Sequence, residues 1–341
     1  MKYYQKLFRF FRYTGLILVV IAGLATIVGT GGSDGNGKGA DNGVVLPTGY
    51  TGETSQARIS ESNAENIPTT FFDKQQSAES ISDAYAPPMG SQKTSEIPLA
   101  SELYPGDIEE DSSKETKTCS YGGKIFAEET TRKEGEDIIS TVYLNFVNCN
   151  QDNVTTIDGE ARAEIILRCL DYDPQWEMCT HYSMNMKMEF IEITTDDGER
   201  SETVTGTFEM ADKPDDDRIV MITTKDMLVK DDNTKKTYKI YDMVGRVYQD
   251  DTNGIATEAE GRFYHHEYGY VDIYTKERLR LYAGDMYPSE GEYVIEGANG
   301  TEARVFFLDN ETFRVRADTS GNGVYDYDSG IIYWSGISNS R

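Results

Sequence analysis

The sequence predicts an all-β fold: a large antiparallel meander, arranged as a sandwich, a curved sheet or an open barrel. Three observations carry this. From about Cys119 onward, apolar residues recur at every second position in strand-length runs. Pairs rich in Asp, Asn and Gly separate those runs. No segment after residue 119 carries a 3.6-residue apolar stripe, so helix is scarce there.

The runs follow one another along the chain. Val142, Leu144 and Phe146 share one face of a strand, because side chains alternate with period two. Ala161, Ala163, Ile165, Leu167 and Cys169 do the same, as do Met184, Met186, Met188 and Phe190. Val204, Phe208 and Met210 come next, then Leu279 and Leu281, Val305 and Phe307, and Phe313 and Val315. Hairpin-type turns are expected at Asp158-Gly159, Asp196-Asp197-Gly198, Asp231-Asp232-Asn233, Asn299-Gly300 and Asp309-Asn310, where positive φ is tolerated. Polar alternate positions, such as Lys187 with Glu189 and Arg314 with Arg316, predict one wet face per sheet. Glycines in Thr205-Gly206-Thr207-Phe208, Val244-Gly245-Arg246-Val247 and Glu260-Gly261-Arg262-Phe263 mark bulges or bends. The folded part, 119–341, reads as one domain of about eleven to fourteen strands.

Two segments precede it. Residues 1–32 read as a signal peptide or an N-terminal membrane anchor. Lys2, Lys6, Arg9 and Arg12 stand before an apolar run, Leu16 to Val28, and glycine follows. A signal core needs about 7–15 apolar residues and a spanning helix about 20, so the length favours a signal. Residues 33–118 read as a disordered Gly/Ser/Pro-rich linker. Six of the nine prolines lie there, and large apolar residues are too few to offset the ordering entropy. Thr70-Phe71-Phe72 and Ile97-Pro98-Leu99 are islands where it could dock.

Four cysteines in the folded part suit an oxidising compartment. Of the three possible connectivities, Cys119–Cys149 and Cys169–Cys179 are favoured. The first ties the opening strand to the strand carrying Phe146; the second clamps the loop of Pro174 and Trp176. A zinc site is disfavoured, because no C-x2-C pair exists. The formal charge of −26 repels nucleic acid and anionic lipid, so nucleic-acid binding is excluded as a reading. Membrane contact is expected only through the N-terminal segment.

One string has the spacing of a cation loop. Asp318, Ser320, Asn322, the Val324 carbonyl and Asp326 stand at alternate positions, with Gly323 at the sharp turn. It resembles the D-x-D-G-D-G-type calcium loops of bacterial exported proteins, and no cofactor is expected beyond the Ca2+ for which this string is the candidate. The competing reading is a polar hairpin turn. His265 and His266 are adjacent on a strand and point to opposite faces, so they read as an exposed polar pair rather than a metal site. Abundant tyrosines late in the chain suit either strand formation or stacking on a glycan.

The layout of signal, glycine-rich tract, polar tether and cysteine-stapled β domain resembles uncharacterised exported or lipoprotein-like β proteins of Gram-negative bacteria. It departs from true lipoproteins in lacking a cysteine after the apolar run. The resemblance implies periplasm, cell surface or secretion, with no activity attached. The expected function is therefore an exported, non-catalytic module with a binding or structural role. The alternatives are a calcium-assisted glycan-binding module and a hydrolase of unrecognised type.

Overall fold

A computed structural model describes residues 49–74, 111–134, 137–150, 153–173, 178–212, 218–249, 254–282, 285 and 287–334. The expected signal or anchor, 1–32, lies outside these residues, as do Pro174 and Trp176. Among the described residues no helix is long and apolar enough to cross a membrane.

The fold is all-β. Fourteen strands form one antiparallel sheet in which each strand pairs with the next in sequence. They are β1 (Asp111–Thr118), β2 (Lys124–Glu134), β3 (Asp137–Asn150), β4 (Thr156–Asp173), β5 (Met178–Asp196), β6 (Ser201–Asp212) and β7 (Arg218–Asp231). There follow β8 (Thr237–Gln249), β9 (Ile255–His265), β10 (Gly269–Leu281), β11 (Glu290–Glu296), β12 (Glu302–Asp309), β13 (Thr312–Asp318) and β14 (Tyr327–Tyr333). Short connections permit this meander, because antiparallel neighbours need only a tight turn. A helix, α1, covers residues 66–74.

Two compact units divide the chain. Of the described residues, the first unit holds β1 to β6, the opening of β7 and 231–233. One face of its sheet is apolar: Leu144, Phe146, Ala161, Ala163, Met184, Met186, Met188, Phe190, Val204, Phe208 and Met210 are buried. The intervening Lys187 and Glu189 are exposed, as the alternation requires. Asp158-Gly159, expected as a hairpin turn, instead lies inside β4. Gly159 pairs with Phe146 just before a bulge, at φ 118°. A Cβ there would sit 1.9 Å from the Glu192 carbonyl oxygen, so glycine is needed for close strand approach rather than for chain reversal.

The second unit holds 49–74, Ile222–Lys230 and everything from Thr234 onward. Residues 49–74 correct the boundary of the expected linker, because they are folded. Ile59, Ala64, Ile67 and Phe71 are completely buried or nearly so. The segment begins beside the β9–β10 turn, where Glu53 N–H donates to the His266 carbonyl and Tyr270 N–H to that of Ser55. It then enters the core through Ala57 and Ile59 and forms α1. Phe71 meets Phe263, and Phe72 meets Tyr293, Phe307, Phe313 and Trp334. Average polarity hides these few large apolar residues, and burying one Phe is worth about 1.5–3 kcal/mol. The folded part also starts at Asp111, inside the expected linker, with β1.

Candidate functional site

Cys119 and Cys149 form a disulfide with a Cα–Cα separation of 5.5 Å. Cys119 follows β1 and Cys149 ends β3, so the bond pins the β1–β2 turn across the sheet. Tyr121 N–H donates to the Asn150 carbonyl, and Asn150 N–H to that of Gly122, holding the same corner. Cys169 on β4 is also disulfide-bonded. The side chain of Cys179, its expected partner, lies outside the described residues.

The string expected to hold a cation forms the β13–β14 connection. Its centre is the Asp318 carboxylate, which is buried at the end of β13. Oδ1 accepts the backbone N–H of Gly321 at 2.7 Å and of Ser320 at 3.1 Å, and Oδ2 accepts that of Gly323 at 2.5 Å. Asn322 N–H and the Ser320 hydroxyl also donate to Oδ1. Burial works to raise the Asp318 pKa, yet these donors outweigh it and hold the carboxyl below its ordinary value. Asp326 accepts from the Thr319 N–H and hydroxyl, and Asn322 Oδ1 from the Val324 N–H. The structure therefore brings Asp318, Ser320 and Asn322 into one turn closed around a carboxylate. Asp326 braces the opposite side. These oxygens face N–H and O–H donors.

His265 differs from the expected exposed pair: it is 2% exposed, while His266 is partly exposed. Its ring stacks on Tyr268 with centroids 4.4 Å apart, and Nδ1 accepts the Glu267 N–H. His266 Nδ1 accepts the Thr237 N–H. Burial pushes the His265 pKa down to about 4, so the ring is neutral at pH 7. Both imidazoles thus act as acceptors that fasten the hairpin end.

Among the described residues the most deeply buried charged side chain is Lys239 on β8, which is fully buried. Its Nζ has no hydrogen-bond partner and lies 3.5 Å from the Asp226 carboxylate. The ammonium stands over the Tyr241 ring at 4.3 Å and the Tyr264 ring at 5.7 Å. Burial lowers the Lys239 pKa, against the attraction of Asp226. Tyr50 meets Tyr264 edge-on, and Arg262 covers the Tyr270 ring while pairing with Asp272. This aromatic enclosure is suited to a cation, and the chain's own lysine occupies it. Sequence reading missed it, although Tyr238-Lys239-Ile240-Tyr241 carries the signal of a lysine flanked by aromatics.

Across the same face of the second unit, cations and carboxylates pair along and between strands. Arg278 pairs with Glu258, Arg304 with Glu292 and Glu302, Lys276 with Glu292, and Arg314 with Asp328. The Asp328 carboxyl is held down at about 2, first by its hydrogen bond from Arg314. Tyr248 lies under Arg278, and Tyr325 under Arg304 and Arg316. The Tyr325 hydroxyl donates to Glu302 and that of Tyr327 to Glu65. These rings are engaged singly. In the first unit an open depression of about 440 Å3 is lined by Asp158, Asp196 and Asp197 with Asn148, Thr156 and Thr194. Asp158 Oδ1 accepts the backbone N–H of Asn148 on β3, Asp196 Oδ1 that of Gly198, and Asp197 Oδ1 those of Glu199 and Arg200 in the β5–β6 turn. Among the described residues no three His, Cys, Asp or Glu side chains gather to hold a metal.

No protein-family model matches the chain, and no curated protein or solved structure matches it either.

Proposed function

We propose that the chain is an exported, non-catalytic β-sheet module of the cell envelope or extracellular space, with a binding or structural role. The observation that carries this reading is the Cys119–Cys149 disulfide between two buried residues. Such bonds persist in oxidising compartments and are rare where glutathione keeps thiols reduced. The basic residues, apolar run and glycine tract at the N-terminus support the same address.

The placement of the titratable groups supports the non-catalytic part. A general acid or base must present its proton site to a substrate. Asp158, Asp196 and Asp197 each accept backbone N–H groups at Oδ1, and Asp318 at both carboxylate oxygens. Glu258, Asp272, Glu292, Glu302 and Asp328 face arginines. His265 and His266 accept backbone N–H groups. The partners of such a module are envelope or extracellular surfaces, glycans among them.

The test is fractionation of the native host, with thiol alkylation and intact-mass analysis of the recovered chain. The expected product is extracytoplasmic and has no alkylatable thiol. A full-length cytosolic chain with four reactive thiols overturns the reading.

A further inference from the structure

The first unit has an unusual core. On β5, Met184-Asn185-Met186-Lys187-Met188 places three thioethers on one face, because alternate residues point the same way. All three are buried, at 8%, 9% and 5% exposure. Met210 on β6 pairs directly with Met186 and is 2% exposed. Directly opposed side chains have Cβ atoms about 4.5–5.5 Å apart, and successive same-face residues on a strand lie about 6.5–7 Å apart. Flexible methionine side chains bridge such gaps.

Packing alone does not select this pattern. Methionine is not among the residues enriched in strands, whereas Val, Ile and Phe are. The core of the second unit follows that preference, with Val271, Ile273, Val305, Phe307, Phe313 and Val315 at inward positions. The surroundings suit a soft ion as well. Met188 faces Ala163 on one side and Phe208 on the other, and Phe190 packs on Phe208 at 5.8 Å. One buried carboxylate, Glu202, shares this face of β6, eight residues from Met210 and beyond Val204 and Phe208. Thioethers select Cu(I) over hard cations, because a polarisable sulfur binds a polarisable metal. They also need no deprotonation and cannot be lost to disulfides, which consume Cys119, Cys149 and Cys169.

We propose that Met184, Met186 and Met210 form a thioether site for a soft monovalent cation, Cu(I), on the apolar face of the first unit. Met188 lies next to them as the fourth thioether of the patch. The proposal is independent of the compartment reading, since it concerns the purified folded chain.

The test uses full-length chain and Ag(I), a redox-inert stand-in for Cu(I). Isothermal titration is expected to give one Ag(I) per chain, and methyl NMR to show the ε-methyl signals of Met184, Met186 and Met210 shifting together. X-ray absorption of the Cu(I) form, prepared with ascorbate, is expected to show a sulfur shell. Met→Leu keeps core volume and removes the sulfur. Met186→Leu and Met210→Leu should each weaken binding about tenfold or more, and the triple Leu variant should abolish it. Met243→Leu, in the second unit, should leave binding unchanged. The proposal is overturned by no Ag(I) uptake, by undiminished uptake in a triple variant with unaltered circular dichroism, or by shifts confined to histidine signals. The wild-type NMR readout keeps it testable even where a variant misfolds.

Discussion

Phe263 and Tyr264 are neighbours on β9, yet one stretch of chain covers both, from opposite sides of the sheet. Phe71 meets Phe263 with ring centroids 5.3 Å apart, and Tyr50 meets Tyr264 at 5.6 Å. Residues 49–74 therefore wrap the end of the β9–β10 hairpin and fill the apolar face beneath it. The interior that a half-open sheet would offer to an apolar ligand is, in the second unit, occupied by the protein's own α1.

Phe72→Ala tests that wedge. The ring touches Tyr293, Phe307, Phe313 and Trp334, so its loss leaves a cavity that four aromatic neighbours cannot close. The expected cost is about 3–5 kcal/mol in urea unfolding, with Phe72→Leu costing less. A change below 1 kcal/mol would show that the segment does not dock.

Replacing Cys119 and Cys149 by Ala removes a bond closing a separation of 30 residues. In the chain-entropy model the loss is about 3–4 kcal/mol, before any native strain is subtracted. Comparing denaturation midpoints of the wild type and the double variant measures it. An unchanged midpoint would mean that the backbone hydrogen bonds of the β1–β2 turn hold the corner unaided.

His265 makes stability depend on acid. Its folded pKa is pushed from 6.5 down to about 4, first by burial and then by the positive neighbours Lys236, His266 and Lys74, with Glu267 opposing. The unfolded chain therefore takes up the proton more readily. This contribution is complete above about pH 6.5 and disappears as pH falls from there towards 4, amounting to about 3 kcal/mol. His265→Gln keeps an acceptor for the Glu267 N–H but does not titrate. Its unfolding free energy is expected to fall less steeply between pH 7 and 4.5, and parallel curves would refute the assignment.

Lys239→Met removes a buried ammonium that has no hydrogen-bond partner and keeps its apolar stem. Stability is expected to stay within about 1 kcal/mol of wild type or to rise, because the desolvation penalty goes with the charge. A loss of about 3 kcal/mol or more would show that the attraction to Asp226 and the tyrosine rings outweighs that penalty.

Asp318→Ala deletes the acceptor shared by four backbone N–H groups. Hydrogen exchange at Gly321 and Gly323 is expected to accelerate strongly, with or without added calcium. Protection that survives the substitution would show that the loop does not depend on this carboxylate.

Strand identity was legible because period-two alternation is a local property. Met184, Met186, Met188 and Phe190 had to share a face wherever β5 went. The Asp196-Asp197-Gly198 turn and the Cys119–Cys149 pairing were also readable from residue type and spacing. Asp158-Gly159 misled because the same glycine serves a reversal or a close strand approach, and only the facing Glu192 carbonyl distinguishes them. At Asp318, spacing could place oxygens at alternate positions but could not say whether they face a cation or the loop's own N–H groups.

Taken alone, the order of residues determined the class of fold, the strand runs, the wet and dry faces and one disulfide. Tertiary structure decided what lies against each face: that residues 49–74 belong to the core, that His265 is buried and neutral, and that Lys239 sits among tyrosines. Alternation is settled by bond geometry within a few residues, whereas burial depends on what the chain folds over it from far away in sequence.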